Sequence, residues 1–289
     1  MSRTGLAELR GWARARLGGR CSERVIEGTA SDRCYVRFCG TEGSLVGYVV
    51  LSGDASGVTA DHVRVTQAFL AGGVSTPRIL EFSYHALLME DAGESTLANR
   101  YRDGVPEAQL QRVLELSGQL ARVDLPPSEY DRRPSRVWRE ATAAGIDPAW
   151  RPTMLAIERL VDAMPTTVQH GDLHARNVVV SGDDQLSLVD VQDAGLGPYA
   201  LDVALLAVDP NYDEVVMSAE AVARELARYP VTAGRDVRRD ALAAMAFQCF
   251  WLVGVCHRLF EAGRGEQFRN ESRAAIRKLE RILPLLATR

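Results

Sequence analysis

The hydrophobic pattern of this chain shifts near Glu90 from strand-rich to mainly helical, and that shift restricts the fold more than any other feature. Before it, Cys34–Phe38 and Ser44–Leu51 are short runs of β-branched and aromatic residues around the turn-forming tetrad Gly40-Thr-Glu-Gly43, and Ala86–Glu90 is a further apolar run. Runs of this length and makeup read as strands joined by a hairpin turn. Apolar residues at helical spacing mark helices over 5–17 and Asp61–Ala71; Gly72-Gly73 ends the second, and Pro77 opens an extended segment. After Glu90 helical spacing dominates, over 106–122, 151–163, 216–228, 236–262 and 266–286. One interruption stands out: Asn177–Val180 and Gln185–Asp190 flank the polar turn Ser181-Gly-Asp-Asp184, a β-hairpin signal that puts Asp190 at a strand exit. The expected fold is α+β and two-lobed. Residues 1–90 form a small antiparallel-sheet N-lobe with one helix, and residues 91–289 a larger, mainly helical C-lobe, around a shared cleft.

Composition narrows the function classes. A chain of 289 residues with 46% hydrophobic content can bury a sizeable core. A net charge of −4 with scattered arginines gives no electrostatic footprint for nucleic acid, so no such partner is expected. No run of eighteen apolar residues suggests a membrane span, and the first residues lack the pattern of a secretory signal, so a cytoplasmic location is expected. Oligomeric state is open. The five cysteines are widely spaced with no Cys-x-x-Cys pair, which argues against a disulfide framework or a zinc site and for small buried apolar residues. Lysine occurs once, at Lys278.

The chemistry concentrates in His170-Gly-Asp172-Leu-His-Ala-Arg-Asn177 and the hairpin after it. Phosphoryl transfer needs a carboxylate to orient the acceptor hydroxyl and take its proton, and oxygen ligands for Mg²⁺ on the triphosphate. Protein kinases supply these from an Asp and an Asn five residues apart, with a second Asp at a later strand end. Here Asp172 and Asn177 have that spacing, and Asp190 follows at the exit of the hairpin. Asp172 is therefore the expected base, Asn177 and Asp190 the expected metal ligands, and His170 a brace of the loop. Taken alone the loop motif is a spacing that arises by chance; joined to Gly195-x-Gly-Pro198 and Leu201-Asp202 it is more specific. A zinc site from His170 and His174 would need a helix, which Gly171 and the following strand oppose.

These motifs resemble those of the aminoglycoside phosphotransferase and choline kinase group of protein-kinase-like enzymes, over about residues 20–285. Within that group the chain resembles bacterial kinases of the anomeric hydroxyl of N-acetylmuramate and N-acetylglucosamine, enzymes of cell-wall recycling. Three segments carry the closer likeness: Gly28-Thr-Ala-Ser-Asp-Arg33-Cys-Tyr35-Val-Arg37, Val191-Gln192-Asp193-Ala194 with Gly197-Pro198, and Val253-Gly-Val-Cys-His-Arg258-Leu-Phe. The resemblance implies a protein-kinase-like fold that uses ATP and Mg²⁺. It also implies nucleotide contacts at Ser31, Arg33 and Arg37, adenine binding by backbone groups from Glu90 to Ala92, Asp202 as a buried brace, and Gln192 and Asp193 on the substrate side. The chain departs from the pattern at Thr29, Val191 and Leu201, positions expected near the acceptor.

One half of a protein-kinase site is missing. The strand Val46–Leu51 holds no lysine and the helix Asp61–Ala71 no glutamate, where protein kinases pair the two. Alternation places Arg33, Tyr35 and Arg37 on one strand face, opposite Cys34, Val36 and Phe38. Either these arginines replace the lysine on the phosphates or they are solvated surface groups. Three functions remain open: an ATP-dependent amino-sugar kinase, a phosphotransferase of aminoglycoside-type antibiotics, and a nucleotide-binding pseudokinase. A polycationic antibiotic needs an acidic pocket, for which Asp193, Asp209, Asp213 and Glu214 are the candidates.

Overall fold

The computed structural model describes residues 3–26, 33–51, 55–101, 104, 106–125, 141, 144 and 146–287. The chain divides into two units, one of the residues up to Glu94 together with Val179–Gln192, the other of Ser95–Val178 and the residues from Asp193 onward. The hairpin expected in the helical part thus groups with the N-terminal sheet. One reason is local: Leu188 N–H donates to Ser75 O at 2.9 Å.

The first unit contains helix α1 (Arg3–Arg16), strands β1 (Ser22–Ile26), β2 (Arg33–Gly40) and β3 (Gly43–Val50), helix α2 (Ala55–Ala71), and strands β4 (Ile79–Phe82) and β5 (Ala86–Glu90). The strands form one antiparallel sheet in the order β1-β2-β3-β5-β4. The period-two pattern sorts the side chains onto two faces. Val36, Phe38, Val49, Ala86 and Leu88 pack under Leu9 and Ala13 of α1 and Leu17 just beyond its end. Tyr48, Val50, Leu87 and Met89 form the core of the opposite face, with Tyr35, Val46, Val63 and Ile79 against them. Gly47 is what admits α1 so closely: a Cβ there would lie 2.7 Å from Leu9 Cδ2 and 3.0 Å from Leu87 O. The expected β2 alternation holds, with Val36 and Phe38 buried beneath α1.

The second unit contains α3 (Leu97–Arg100), α4 (Glu107–Leu120), α5 (Arg151–Asp162), β6 (Thr166–Gln169), β9 (Gly195–Pro198), α6 (Leu201–Ala207), α7 (Ala219–Leu226), α8 (Val237–Glu261) and α9 (Glu266–Ala287). The hairpin strands are β7 (Val178–Val180) and β8 (Leu186–Leu188). By length and composition α8 could cross a membrane, but most of it is buried inside the protein, packed by α5, α6, α7 and α9. A helix apolar all round is the expected centre of a helical core. β6 and β9 pair antiparallel, from Thr166↔Pro198 to Gln169↔Gly195. Of the cysteines, Cys249 and Cys256 are buried as expected, Cys21 and Cys34 are partly exposed and Cys39 is exposed; all five are free.

Candidate active site

In the second unit β6 delivers the chain into His170-Gly-Asp172. Gly171 has φ +89°, a conformation L side chains rarely adopt. Asp202, 1% exposed at the start of α6, accepts from His170 N–H at 2.5 Å and Gly171 N–H at 3.1 Å, while its own N–H donates to Gln169 Oε1 at 2.9 Å. The carboxylate satisfies two buried donors that would otherwise each cost about 1–3 kcal/mol. His170 is fully buried, and Asp172 N–H donates to its Nδ1 at 3.3 Å. His170 and Asp202 thus both hydrogen-bond to the backbone of this loop.

Asn177 Nδ2 donates to Asp172 O at 2.8 Å and to Asp172 Oδ2 at 3.1 Å. That orientation turns the Asn177 amide oxygen away from the carboxylate, leaving it as an oxygen donor. His174 Nε2 lies 3.4 Å from Asp172 Oδ2. Burial works against a charge on His174 and the Asp172 carboxylate works for one; the carboxylate prevails, raising its pKa to about 9.

Sequence reasoning missed the group that holds the middle of this loop. Asp209, fully buried, accepts from Ala175 N–H at 2.6 Å and from the backbone and side chain of Asn211, both at 2.8 Å. Lys278 on α9, 1% exposed, donates to Val208 O at 3.0 Å, Asp209 O at 2.7 Å and Tyr212 O at 2.5 Å. The chain's single lysine thus caps the end of α6 and fixes the turn that carries Asp209. The signal was an acid directly after the all-apolar stretch Val203–Val208, where a carboxylate needs built-in partners. Arg176 also reaches α9, with Nη2 3.4 Å from Glu271 Oε1, and burial raises the pKa of Glu271.

In the first unit Asp190 adopts φ +61°. Its Oδ1 accepts from Tyr35 Oη at 2.7 Å and forms an ion pair with Arg33 Nη1 at 3.0 Å. Where a protein kinase carries its lysine and glutamate, this unit stacks aromatic rings. Tyr48 of β3 lies 5.5 Å from His62 of α2 at an interplanar angle of 23°, and 5.3 Å from Tyr35. The Arg33 guanidinium sits 5.9 Å from the Tyr48 ring centroid. Burial lowers the pKa of His62 to about 4, with Asp190 opposing the shift and Arg33 adding to it.

Arg37 does not share the setting of Arg33. It is 6% exposed, with Nε 2.7 Å from Asp91 Oδ2, Nη2 donating to Asp91 Oδ1 at 2.8 Å and to Gly93 O at 2.6 Å, and Nη1 2.9 Å from Glu94. A guanidinium gripped by a bidentate carboxylate and a carbonyl is a brace. Arg37, expected as a phosphate contact, here ties β2 to the segment after β5. Burial would raise the pKa of Asp91, but Arg37 and Gly93 N–H hold it below its ordinary value. Glu90 donates its N–H to Arg78 O at 3.0 Å, so that donor is engaged within the sheet, and its carboxylate pairs with Arg78. Ala92 is half-buried beyond it, and Ser31 and Thr29 lie outside the described residues. Gln192 is buried and Asp193 exposed. Val191 and Leu201 are both buried in the core.

Among the described residues no three His, Cys, Asp or Glu side chains cluster as for a transition metal. The Asp190 carboxylate and the Asn177 amide oxygen are each hard oxygen donors, the kind that Mg²⁺ prefers over the softer ligands of a transition metal.

Residues 24–245 match the Phosphotransferase enzyme family, and the chain belongs to that family. No protein of curated function matches the sequence. Similar solved structures include choline kinase LicA from Streptococcus pneumoniae, at 11% identity and a TM-score of 0.66, covering 96% of this chain and 99% of that one. Plasmodium vivax ethanolamine kinase is similar at 12% identity and a TM-score of 0.65, covering 92% and 85%. A thermostable mutant of aminoglycoside phosphotransferase APH(4)-Ia, in ternary complex with ADP and hygromycin B, is similar at 15% identity and a TM-score of 0.62, covering 98% and 100%. The fold is that of protein-kinase-like enzymes, a sheet-bearing N-terminal part and a helical C-terminal part, as expected.

Proposed function

We propose that this phosphotransferase moves the γ-phosphoryl group of ATP to a hydroxyl of an amino sugar, with the anomeric hydroxyl of N-acetylmuramate or N-acetylglucosamine as the acceptor. Asp172 orients that hydroxyl and takes its proton. Asn177 and Asp190 hold Mg²⁺, which when bound neutralises charge developing on the phosphates. The observation that carries the transfer chemistry is the fixed loop: Asp202 and Asp209 hold three of its backbone N–H groups, and Asn177 holds the Asp172 carboxylate. Positioning of this kind supplies much of the catalysis in phosphoryl transfer.

Asp209 is buried and engaged by the loop, Asp213 pairs with Arg277 at 3.5 Å, and Glu214 pairs with Arg281. Of the four acids that a polycationic antibiotic could use, Asp209 is thus committed to the loop, whereas the pairs of Asp213 and Glu214 lie at the exposed surface. Incubation with ATP, Mg²⁺ and a panel of amino sugars and aminoglycosides, followed by phosphorus NMR, tests the reading. Anomeric sugar phosphates are the expected product. Phosphorylated antibiotic would replace the acceptor, and ATP binding without turnover on any acceptor would make the chain a pseudokinase.

A further inference from the structure

The contacts of Asp190 set two roles of the first unit against each other. Its Oδ1 carries both the Tyr35 hydroxyl and the Arg33 guanidinium. The Arg33 side chain is 13% exposed and the Asp190 side chain 29%, so water screens this charge pair only partly. Tyr35 is a neutral donor and leaves the carboxylate its full charge. Arg33 brings a positive charge to the group that the proposed function gives to Mg²⁺, and a cation approaching Asp190 meets that charge at close range.

We propose that Arg33 is the internal counter-ion of Asp190, competing with the divalent cation and released from it by the phosphates of the incoming nucleotide. The inference rests on Asp190 being a metal ligand. It gives Arg33 a second task beside phosphate binding, because a phosphate offers a guanidinium charge-assisted hydrogen bonds as strong as those it leaves on the carboxylate. A triphosphate qualifies, so the site takes up the metal–nucleotide complex and discriminates against the free cation. Tyr35 stays on Oδ1 throughout and keeps the carboxylate oriented. Arg37 cannot substitute, being held by Asp91 and Gly93 O.

The test is a titration of the nucleotide-free protein with Mn²⁺, following the free-ion signal by electron paramagnetic resonance. Arg33→Gln should bind Mn²⁺ about tenfold more tightly than wild type, the scale of one partly screened charge pair. Arg33→Met should repeat that result and serves if the glutamine variant does not fold by circular dichroism. Arg33→Lys, which keeps the charge, should remain as weak as wild type. Tyr35→Phe should bind no more tightly than wild type; tightening there would mean that merely loosening Asp190 promotes binding, and would overturn the counter-ion role. Unchanged or weaker binding in Arg33→Gln and Arg33→Met overturns it as well. Asp190→Asn in the Arg33→Gln background separates the two levels. If the gain disappears, Asp190 is the ligand and the proposal stands; if the gain persists, the cation sits elsewhere, and both the proposal and the metal role of Asp190 fall.

Discussion

Replacing Lys278 with methionine keeps the length of the side chain and removes its charge. The ammonium donates to three carbonyls, of Val208, Asp209 and Tyr212, in a setting 1% exposed to water. Each carbonyl left without a donor costs about 1–3 kcal/mol. The variant also escapes the cost of burying an ammonium, several kcal/mol, which already lowers the pKa of Lys278. The balance is a loss of about 2–4 kcal/mol, which for a chain of this size lowers Tm by roughly 4–10 °C. The loop feels the same change, since the turn that Lys278 fixes carries the Asp209 carboxylate on Ala175 N–H. A displacement there misplaces Asp172 and should lower kcat by on the order of tenfold to a hundredfold. Nucleotide affinity should change less than about twofold, because the residues proposed to contact the nucleotide lie in the first unit and, among the described residues, none of them touches Lys278. Differential scanning calorimetry gives the first quantity and steady-state kinetics the others. A Tm within about 1 °C of wild type would refute the capping argument. A normal kcat beside a lowered Tm would confine Lys278 to stability and break its link to the loop.

Other consequences follow from the same contacts. Arg37→Met should weaken adenosine and ATP by similar factors in calorimetry, because it loosens the segment after β5; a loss confined to ATP would restore Arg37 as a phosphate ligand. His62, with its pKa lowered by burial to about 4, favours folding fully above pH 6.5 and loses that contribution as pH falls through about 4. His62→Phe should therefore flatten the acid side of the stability curve by about 3 kcal/mol in denaturant titrations; an unchanged acid limb would contradict the burial argument. Burial pushes the Cys249 thiol up to about 12 and raises that of Cys256. In native protein at pH 8 iodoacetamide should label Cys39 and spare both of these, as peptide mass spectrometry can check; rapid labelling of Cys249 would mean that α8 opens locally.

The elements legible in the sequence were those with a clean period and their own punctuation. β5 falls at the expected Ala86–Glu90, and α4, α5, α8 and α9 lie within a residue or two of the expected spans. Asp172, Asn177 and His170 were singled out by the spacing that phosphoryl transfer asks for, and Asp202 by the family resemblance. β1, β6 and β9 were not read as strands, since Ser22–Ile26 is polar and exposed and Gly195–Pro198 is too rich in Gly and Pro to show alternation. Their pairing is tertiary. Arg33 and Arg37 show the limit most clearly: alternation placed both on one face, but the partners that separate them, Asp190 and Asp91, are distant in sequence. Asp209 and Lys278 were hidden for the same reason, 69 residues apart and meeting through a backbone carbonyl.

Asp172 is proposed as the base of an ATP-dependent transfer to a small-molecule hydroxyl. Its most direct test compares wild type with Asp172→Asn, measuring phosphorylated product by phosphorus NMR and nucleotide affinity by calorimetry on the same preparations. The amide keeps the shape of the side chain and cannot take the proton, so product formation should fall by about 10²–10⁴-fold while nucleotide affinity stays within about threefold. A variant that retains more than about a tenth of wild-type turnover would contradict the role given to Asp172.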